Sequence, residues 1–462
     1  MKKIASSFRD PDGNVFIEDD TIYRTVRNSY RANWELCEYS GLYNLLSNEQ
    51  LLIDFSEIDS DEHYKLLKVK KIPFISYPYE WCFSQLKDAA RTTLSIQKLS
   101  LEKGLTLKDS SAYNVQFING KPIFIDLLSF EKRPVNSPWQ AYRQFCMHFY
   151  APLVLTAKVG LWCGQLSKLN IDGVPLSSAV EMLPLKSKLN FHVGLHLVAH
   201  SKMEDKYSDS IKSADKAISI QISPQKALNL IQSLESAIDA LSLPKTQTTW
   251  GDYYDDTNYA VDAMYKKEMI VHDFSSIAAK DNHGKLALDF GANTGKFSEL
   301  ISEHFSNVIA TDIDPLAVER HYQKLQKKGP NNILPLIIDF ANPSPALGWA
   351  SKERDSFSQR SSFGFITALA VIHHLRITNG IPLEMQAEYF SDLLDASGYL
   401  CIEFVPKEDS QIRRMLAVRS DVFYDYTEKN FQSCFEQHFD FIMKKSVSGS
   451  LRTIYLLKKK PF

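Results

Sequence analysis

"LALDFGANTGKF", residues 286–297, decides how this chain is read. An apolar run ends in an acid, Asp289, and two glycines, Gly291 and Gly295, bracket a short polar stretch. "GKFSELISEHF" then places Phe297, Leu300, Ile301 and Phe305 on one helical face. The order is strand, glycine turn, helix. The glycines let the backbone turn sharply and come close to a ligand. The pattern is D-x-G-x-x-x-G and not the G-x-G-x-x-G of dinucleotide sites. On its own it serves a tight turn as well as a cofactor cradle.

The flanking sequence repeats the alternation. "NVIATDID" (307–314), "ILPLIIDF" (333–340), "GFITALAVI" (364–372) and "GYLCIEFV" (398–405) read as strands, and "PLAVERHYQKLQKK" (315–328) reads as a helix. Strands alternating with helices predict an α/β fold with a largely parallel sheet covered on both faces. "FDFIMKKSVSGSLRTIYLLKKK" (439–460) reads as a terminal antiparallel hairpin around "SGS", bringing the sheet to seven strands. Ligands of such sheets bind beyond the carboxyl ends of the strands. Three successive strands end there in acids: Asp289, Asp312 and Asp339. An acid ending the second strand accepts ribose hydroxyls, and one ending the third faces an exocyclic amine. Carboxylates buried without partners are costly, and a cationic, amine-bearing nucleoside supplies partners.

Residues 285–457 resemble the class I S-adenosylmethionine-dependent methyltransferases. "LDFGANTG", "ATDIDP", "IIDF" and "ALAVIHHL" stand, in order, where that family has its first four motifs. The resemblance implies a Rossmann-like fold and S-adenosylmethionine as cofactor. It implies Asp289, Gly291 and Gly295 around the methionine part, Asp312 on the ribose and Asp339 with Phe340 at the adenine, with Ala292, Asn293 and Ile313 also among the cofactor-binding residues. "ALAVIHHL", "IEFVPKEDSQ" and "DVFYDYTEKNF" resemble a narrower group, the NoeA-like host-specific nodulation proteins, over most of the chain.

Methyl transfer asks a protein to align donor and acceptor and to take a proton from an acceptor that carries one. His373 and His374 follow the fourth strand where an acceptor enters, and histidine titrates near neutrality. Packing and a carbonyl cap are the alternative roles for the pair. Glu403 is a further candidate base, unless it pairs with Lys407 or an arginine. Trp250, Tyr253 and Tyr254 are either a lid over the cofactor or a staple between domains. The fourth strand ends in "TALA", which lacks the N/D-P-P-Y string of adenine-N6 and glutamine enzymes and the Pro-Cys nucleophile of cytosine-C5 enzymes. Oxygen, nitrogen or carbon of a small molecule, a glycan or a protein side chain remains as acceptor.

At 462 residues the chain is long for one domain, and its polar, turn-rich segment "LSLPKTQTTWGDYYDDTNY" (241–259) marks a boundary. Domains are therefore expected at 1–240 and 241–462. Apolar residues at 44% and charged residues at 23% are ordinary globular usage. A net charge of −2 argues against a general polyanion binder, so nucleic acid is not the expected partner. Cys37, Cys82, Cys146, Cys163, Cys401 and Cys434 form no C-x-x-C and no zinc rhythm with histidine, so no metal is expected in the second domain. The N-terminus has no apolar signal core, and no apolar run reaches the ~18 residues of a membrane span. A cytoplasmic location is expected.

In the first half, "LEKGLTLKDSSAYNVQFINGKPIFIDLLSFEK" (101–132) sets Asp109 and Asn114 in D-x-x-x-x-N spacing. A hairpin turning on "NG" follows, then Asp126. This resembles the catalytic loop and metal-binding acid of protein kinases and antibiotic phosphotransferases. The resemblance implies an α+β kinase-like domain, Asp109 facing a hydroxyl, Asn114 and Asp126 holding Mg²⁺ with ATP, and "IPFISYPYEW" (72–81) as hinge strand. "LKD" and "DLL" depart from the kinase strings, and no glycine-rich loop or strand lysine stands upstream. The expectation is a methyltransferase with an accessory first domain. A bifunctional kinase–methyltransferase and a non-catalytic cofactor-binding scaffold are the alternatives.

Overall fold

The computed structural model describes residues 2–58, 64–202, 221–244, 248, 261–282, 284–417 and 420–461. The chain divides into two compact units, Met1–Thr246 with Leu347–Arg354, and Gln247–Ala346 with Asp355–Phe462.

The first unit is α+β. Strands β1 (Lys2–Lys3), β2 (Val15–Glu18), β3 (Thr21–Val26), β4 (Phe55–Ile58) and β5 (Lys65–Val69) form an antiparallel sheet in the order β1-β2-β3-β5-β4. Two ribbons follow helix α1 (Phe83–Glu102). In one, β6 (Leu105–Leu107) pairs with β9 (Phe130–Lys132); in the other, β7 (Val115–Ile118) pairs with β8 (Lys121–Phe124). The second ribbon is the hairpin expected at "NG". Asn119 (φ 51°) and Gly120 (φ 72°) both take positive φ, as a two-residue turn matched to strand twist requires. The expected hinge strand at residues 72–81 is absent. Pro73 and Pro78 each remove a backbone donor, and the segment is coil ending in a single turn at Pro78–Glu80. Helix α2 (Pro224–Asp239) starts on proline, with the Ser223 hydroxyl accepting from the Lys226 N–H.

The second unit is α/β, a seven-stranded, largely parallel sheet with helices between its strands. Helix α3 (Val261–Asn282) leads into β10 (Leu286–Phe290), followed by α4 (Lys296–Ile301), β11 (Asn307–Asp312), α5 (Pro315–Lys328) and β12 (Ile333–Ile337). Then come β13 (Phe363–Ala368), α6 (Leu383–Leu393), β14 (Leu394–Phe404), α7 (Glu428–Phe435), β15 (Phe439–Ser446) and β16 (Thr453–Lys459). The strand order is β12-β11-β10-β13-β14-β16-β15. The first five positions are parallel, and β16 lies antiparallel to both β14 and β15. The chain runs outward to β12 and then returns to the other side of β10. The switch between β10 and β13 opens a crevice at their carboxyl ends.

Local chemistry sets the boundaries. Helix α5 is capped by Asp314, whose Oδ1 accepts from Leu316 N (2.8 Å) and Ala317 N (3.4 Å), with Pro315 first and Lys327 and Lys328 in the last turn. Helix α4 stops at Ile301, short of the predicted Phe305. There the Ser302 hydroxyl donates to Glu299 O at 2.6 Å, a local bond that competes with the helical ladder. Phe297, Ile301 and Phe305 are still buried, packed with Val271, Phe274 and Ala278 of α3. Strand β13 ends at Ala368, earlier than the pattern suggested, because Ala370 adopts φ 55° and turns the chain away.

Candidate active site

Asp289 ends β10 with its carboxylate turned inward. It is 2% exposed; Oδ2 accepts from the Ser298 hydroxyl at 2.6 Å and Oδ1 from the Thr367 hydroxyl at 2.7 Å. One acid thus ties β10 to α4 and β13. Burial raises its pKa, against the pull of these two hydroxyls and the charge of Lys267.

The glycine loop is held from two sides. Gly291 N and Ala292 N both donate to Thr311 O, at 2.9 and 2.8 Å, fastening the loop to β11. Gly291 and Gly295 each take φ 83°, which disfavours any side chain. Their neighbours forbid one as well. A Cβ on Gly291 would lie 2.6 Å from Val371 Cγ2, and one on Gly295 would lie 2.0 Å from His321 Nε2. The glycines therefore answer first to protein packing. His321 is buried, its Nε2 has no hydrogen-bond partner, and burial pulls its pKa down to about 3, so it packs as neutral imidazole.

Asp312 ends β11 beside this loop. Its Oδ2 accepts from Asn293 N at 2.8 Å and its Oδ1 from Asp314 N at 2.9 Å. Each oxygen keeps a further lone pair, and two backbone donors fix the carboxylate plane. Burial outweighs those donors and pushes the pKa up to about 6. Asn293 itself holds φ 51°, and its Oδ1 accepts from Thr294 N at 2.8 Å. The next residue, Ile313, is 53% exposed, an apolar side chain on an open rim. Past β12, Asp339 is half-buried and accepts from Ala341 N at 2.9 Å through Oδ1. Phe340 stacks on Phe290 with ring centroids 3.5 Å apart. The nine residues expected around a cofactor thus lie at the carboxyl ends of three adjacent strands.

His373 and His374 follow the Ala370 turn, with ring centroids 4.3 Å apart. His373 is 2% exposed, and its Nδ1 is buried without a hydrogen-bond partner. Burial first, then the adjacent His374 and the charges of Arg452 and Lys267, holds His373 well below the usual imidazole range; burial and Arg452 bring His374 down to about 4. These shifts favour the neutral imidazole, which leaves a nitrogen lone pair on each ring but makes each a weaker base than a free histidine.

Glu403, at the end of β14, is fully buried, and Lys267 of α3 donates to its Oε2 at 2.7 Å. The expected partner Lys407 pairs instead with Asp421 at 2.8 Å. Burial lowers the Lys267 pKa, while Glu403 raises it and Arg452 lowers it again. Arg452 forms a two-pronged pair with Asp409, at 2.8 and 3.2 Å. Arg376, just past the histidines, grips Asp425 likewise at 2.9 and 2.8 Å. The strings "IHHL", "IEFVPKED" and "DVFYDY" are thus joined by ion pairs. Lys267, Arg452, Ser298, Thr367, Val371 and His321 escaped the sequence reading. Thr367, a lone hydroxyl in the buried strand "FGFITA", was the one available signal. Trp250, Tyr253 and Tyr254 lie outside the described residues.

In the first unit the three expected residues converge. Asp109 is raised by burial and by the charge of Asp126, while the Ser111 N–H, donating to its Oδ1 at 2.9 Å, pulls the other way. The Mg²⁺ expectation does not fit the side chains present. Asp126 Oδ1 is 2.7 Å from Arg24 Nη2, the Ser129 hydroxyl donates to Oδ2, and the same Arg24 nitrogen reaches Asp10 Oδ2 at 2.5 Å. A guanidinium already occupies the carboxylate that an ion needs.

A methyltransferase-domain family model matches residues 264–443. The chain is 32% identical over 467 residues to nodulation protein NoeA of Rhizobium meliloti (strain 1021), covering 99% of this chain and 96% of that one. Among solved structures it is similar to the N-methyltransferase NodS from Bradyrhizobium japonicum WM9, at 13% identity and TM-score 0.32, over 43% of this chain and 98% of that one. It is also similar to the magnesium protoporphyrin IX methyltransferase ChlM from Synechocystis PCC 6803, at 18% identity and TM-score 0.32, over 45% of this chain and 90% of that one. Among the described residues, no helix is long and apolar enough to cross a membrane.

Proposed function

Since the chain belongs to the NoeA family of S-adenosylmethionine-dependent methyltransferases, we propose that the crevice at the ends of β10, β11 and β13 holds the cofactor and that His373 or His374 takes the acceptor's proton. The observation that carries this reading is the Asp312 carboxylate. Two backbone donors fix it beside the glycine loop, with one lone pair left on each oxygen for a pair of ribose hydroxyls. Burial has made that carboxylate costly to ionise, so hydroxyl donors are worth more to it there than in water.

When bound, S-adenosylmethionine supplies an electrophilic methyl group. The chain's own residues do the rest. Gly291 and Gly295 let the loop turn tightly against Val371 and His321, and Asp289 braces that loop from inside. Ile313, Asp339 and Phe340 form the adenine side. The histidine pair, neutral and stripped of water, accepts a proton as the acceptor's lone pair takes the methyl group. We assign this role to the histidines over Glu403, whose carboxylate is committed to Lys267. The acceptor is a small molecule, a glycan or a protein side chain, and the first unit presents it or governs its access. The six cysteines are all free and buried, as suits a reducing cytoplasm.

The test is transfer of labelled methyl from S-adenosylmethionine to a cell extract, with the labelled product identified by mass spectrometry. Label should appear in one product class and vanish with His373→Ala/His374→Ala. No labelled product in any extract fraction would contradict the reading.

A further inference from the structure

Three side chains outside the cofactor crevice converge on the second unit. His272 lies on α3, and Glu303 and His304 lie in the turn after α4. One ligand-capable atom from each sits within 4.8 Å of the other two, and among the described residues this is the one such group of histidine, cysteine or carboxylate side chains. The two imidazoles meet edge to face, with centroids 4.7 Å apart. Spacing along the chain does not reveal the group, because its ligands come from two elements that meet only in the fold.

We propose that His272, Glu303 and His304 bind a divalent transition-metal ion of the zinc type. Two imidazole nitrogens and one carboxylate oxygen suit Zn²⁺, with water in the fourth position, whereas Mg²⁺ and Ca²⁺ favour all-oxygen shells. A tetrahedral ion needs its ligand atoms roughly 3.4 Å apart, from bond lengths of about 2.0–2.2 Å. The group closes to that distance by side-chain rotation, since Glu303 is exposed and the His272 side chain is 43% exposed. The elements beneath are already fixed: Val271 and Phe274 of α3 pack in the same core as Ile301 and Phe305. The ion would cross-brace α3, which carries Lys267, to the turn that closes the glycine-loop helix. A further acid, Asp273, lies with its Oδ1 3.8 Å from His272 Nδ1.

The experiment is calorimetric titration of the chelator-stripped full chain with ZnSO₄, with MgCl₂ in parallel. Saturable binding of one Zn²⁺ per chain is expected, with no heat from Mg²⁺ and a rise in melting temperature that follows Zn²⁺ concentration. His272→Ala/His304→Ala should weaken Zn²⁺ binding at least tenfold, and Glu303→Gln less. Circular dichroism and S-adenosylhomocysteine affinity should be unchanged, since none of the three lies in the cofactor crevice. His272→Gln is the second variant should His304→Ala fail to fold. Absence of saturable Zn²⁺ binding to the wild-type chain would overturn the proposal. So would undiminished binding in folded variants, because the ion would then sit on other histidines or on cysteines.

Discussion

Lys267 donates to Glu403 at 2.7 Å in the interior of the methyltransferase unit, with 4% of one side chain and none of the other exposed. The pair joins α3, ahead of the glycine motif, to the far end of β14. Removing one partner strands a buried charge and costs about 3–5 kcal/mol, whereas replacing both with apolar groups is often neutral. We therefore expect Lys267→Met or Glu403→Leu alone to lower stability severely, and the double variant to recover most of the loss. Urea denaturation of the four proteins measures it. Additive losses would mean that the pair is not coupled.

Asp312 gives the protein a pH dependence opposite in sign to that of an ion-paired acid. Its pKa is raised from 3.8 to about 6, so the folded state holds the proton more tightly than the unfolded state. Stability is fully present below the lower value, falls as pH rises through that window and levels off above it. The amount is on the order of 3 kcal/mol. Asp312→Asn should therefore stabilise the cofactor-free protein at pH 7.5 and not at pH 4. Affinity for S-adenosylhomocysteine should rise with pH through about 6 in the wild type only, because ribose hydroxyls favour the ionised acceptor. Melting curves and calorimetry across that range check both.

The glycines are expected to fail through their protein neighbours. Gly295→Ala sets a Cβ 2.0 Å from His321 Nε2, on a backbone at φ 83°. The conformation alone costs ~1–2 kcal/mol, and the clash adds to it. Gly295→Ala with His321→Ala should recover the clash and not the conformational cost. Thermal denaturation of single and double variants separates the two, and no recovery would place the obstruction elsewhere.

How much of this was legible in the sequence depends on where the partners lie. Asp314, Pro315 and Gly329 mark the ends of α5 by local chemistry, so that helix was readable to the residue. The end of β13 was not, because Ala370 turns the chain at φ 55° and the next residue, Val371, packs against Gly291, a contact between distant segments. Asp312 could be placed beside the glycine loop from strand order alone. The commitment of Glu403 to Lys267 could not, since 136 positions separate them. Nor could that of Asp126 to Arg24, because a motif fixes its own residues and is silent about a cation brought in from another sheet.

In the first unit, Arg24 bridges Asp10 and Asp126 with all three side chains mostly buried. Adding ATP with MgCl₂ to the full chain should give no shift in melting temperature beyond that of ATP alone. Arg24→Ala should destabilise by about 3–5 kcal/mol, since it leaves two carboxylates uncompensated. A Mg²⁺-dependent shift in the wild type would show that the guanidinium yields to the ion.

The central claim is that Asp312, held by Asn293 N and Asp314 N beside Gly291 and Gly295, is the cofactor's ribose acceptor. Calorimetric titration of the wild type and Asp312→Ala with S-adenosylhomocysteine tests it most directly. A hydrogen bond to a charged group is worth ~1.5–3 kcal/mol, so the variant should fold normally and bind roughly ten- to over a hundredfold more weakly. Equal affinity in a folded Asp312→Ala protein would contradict the account.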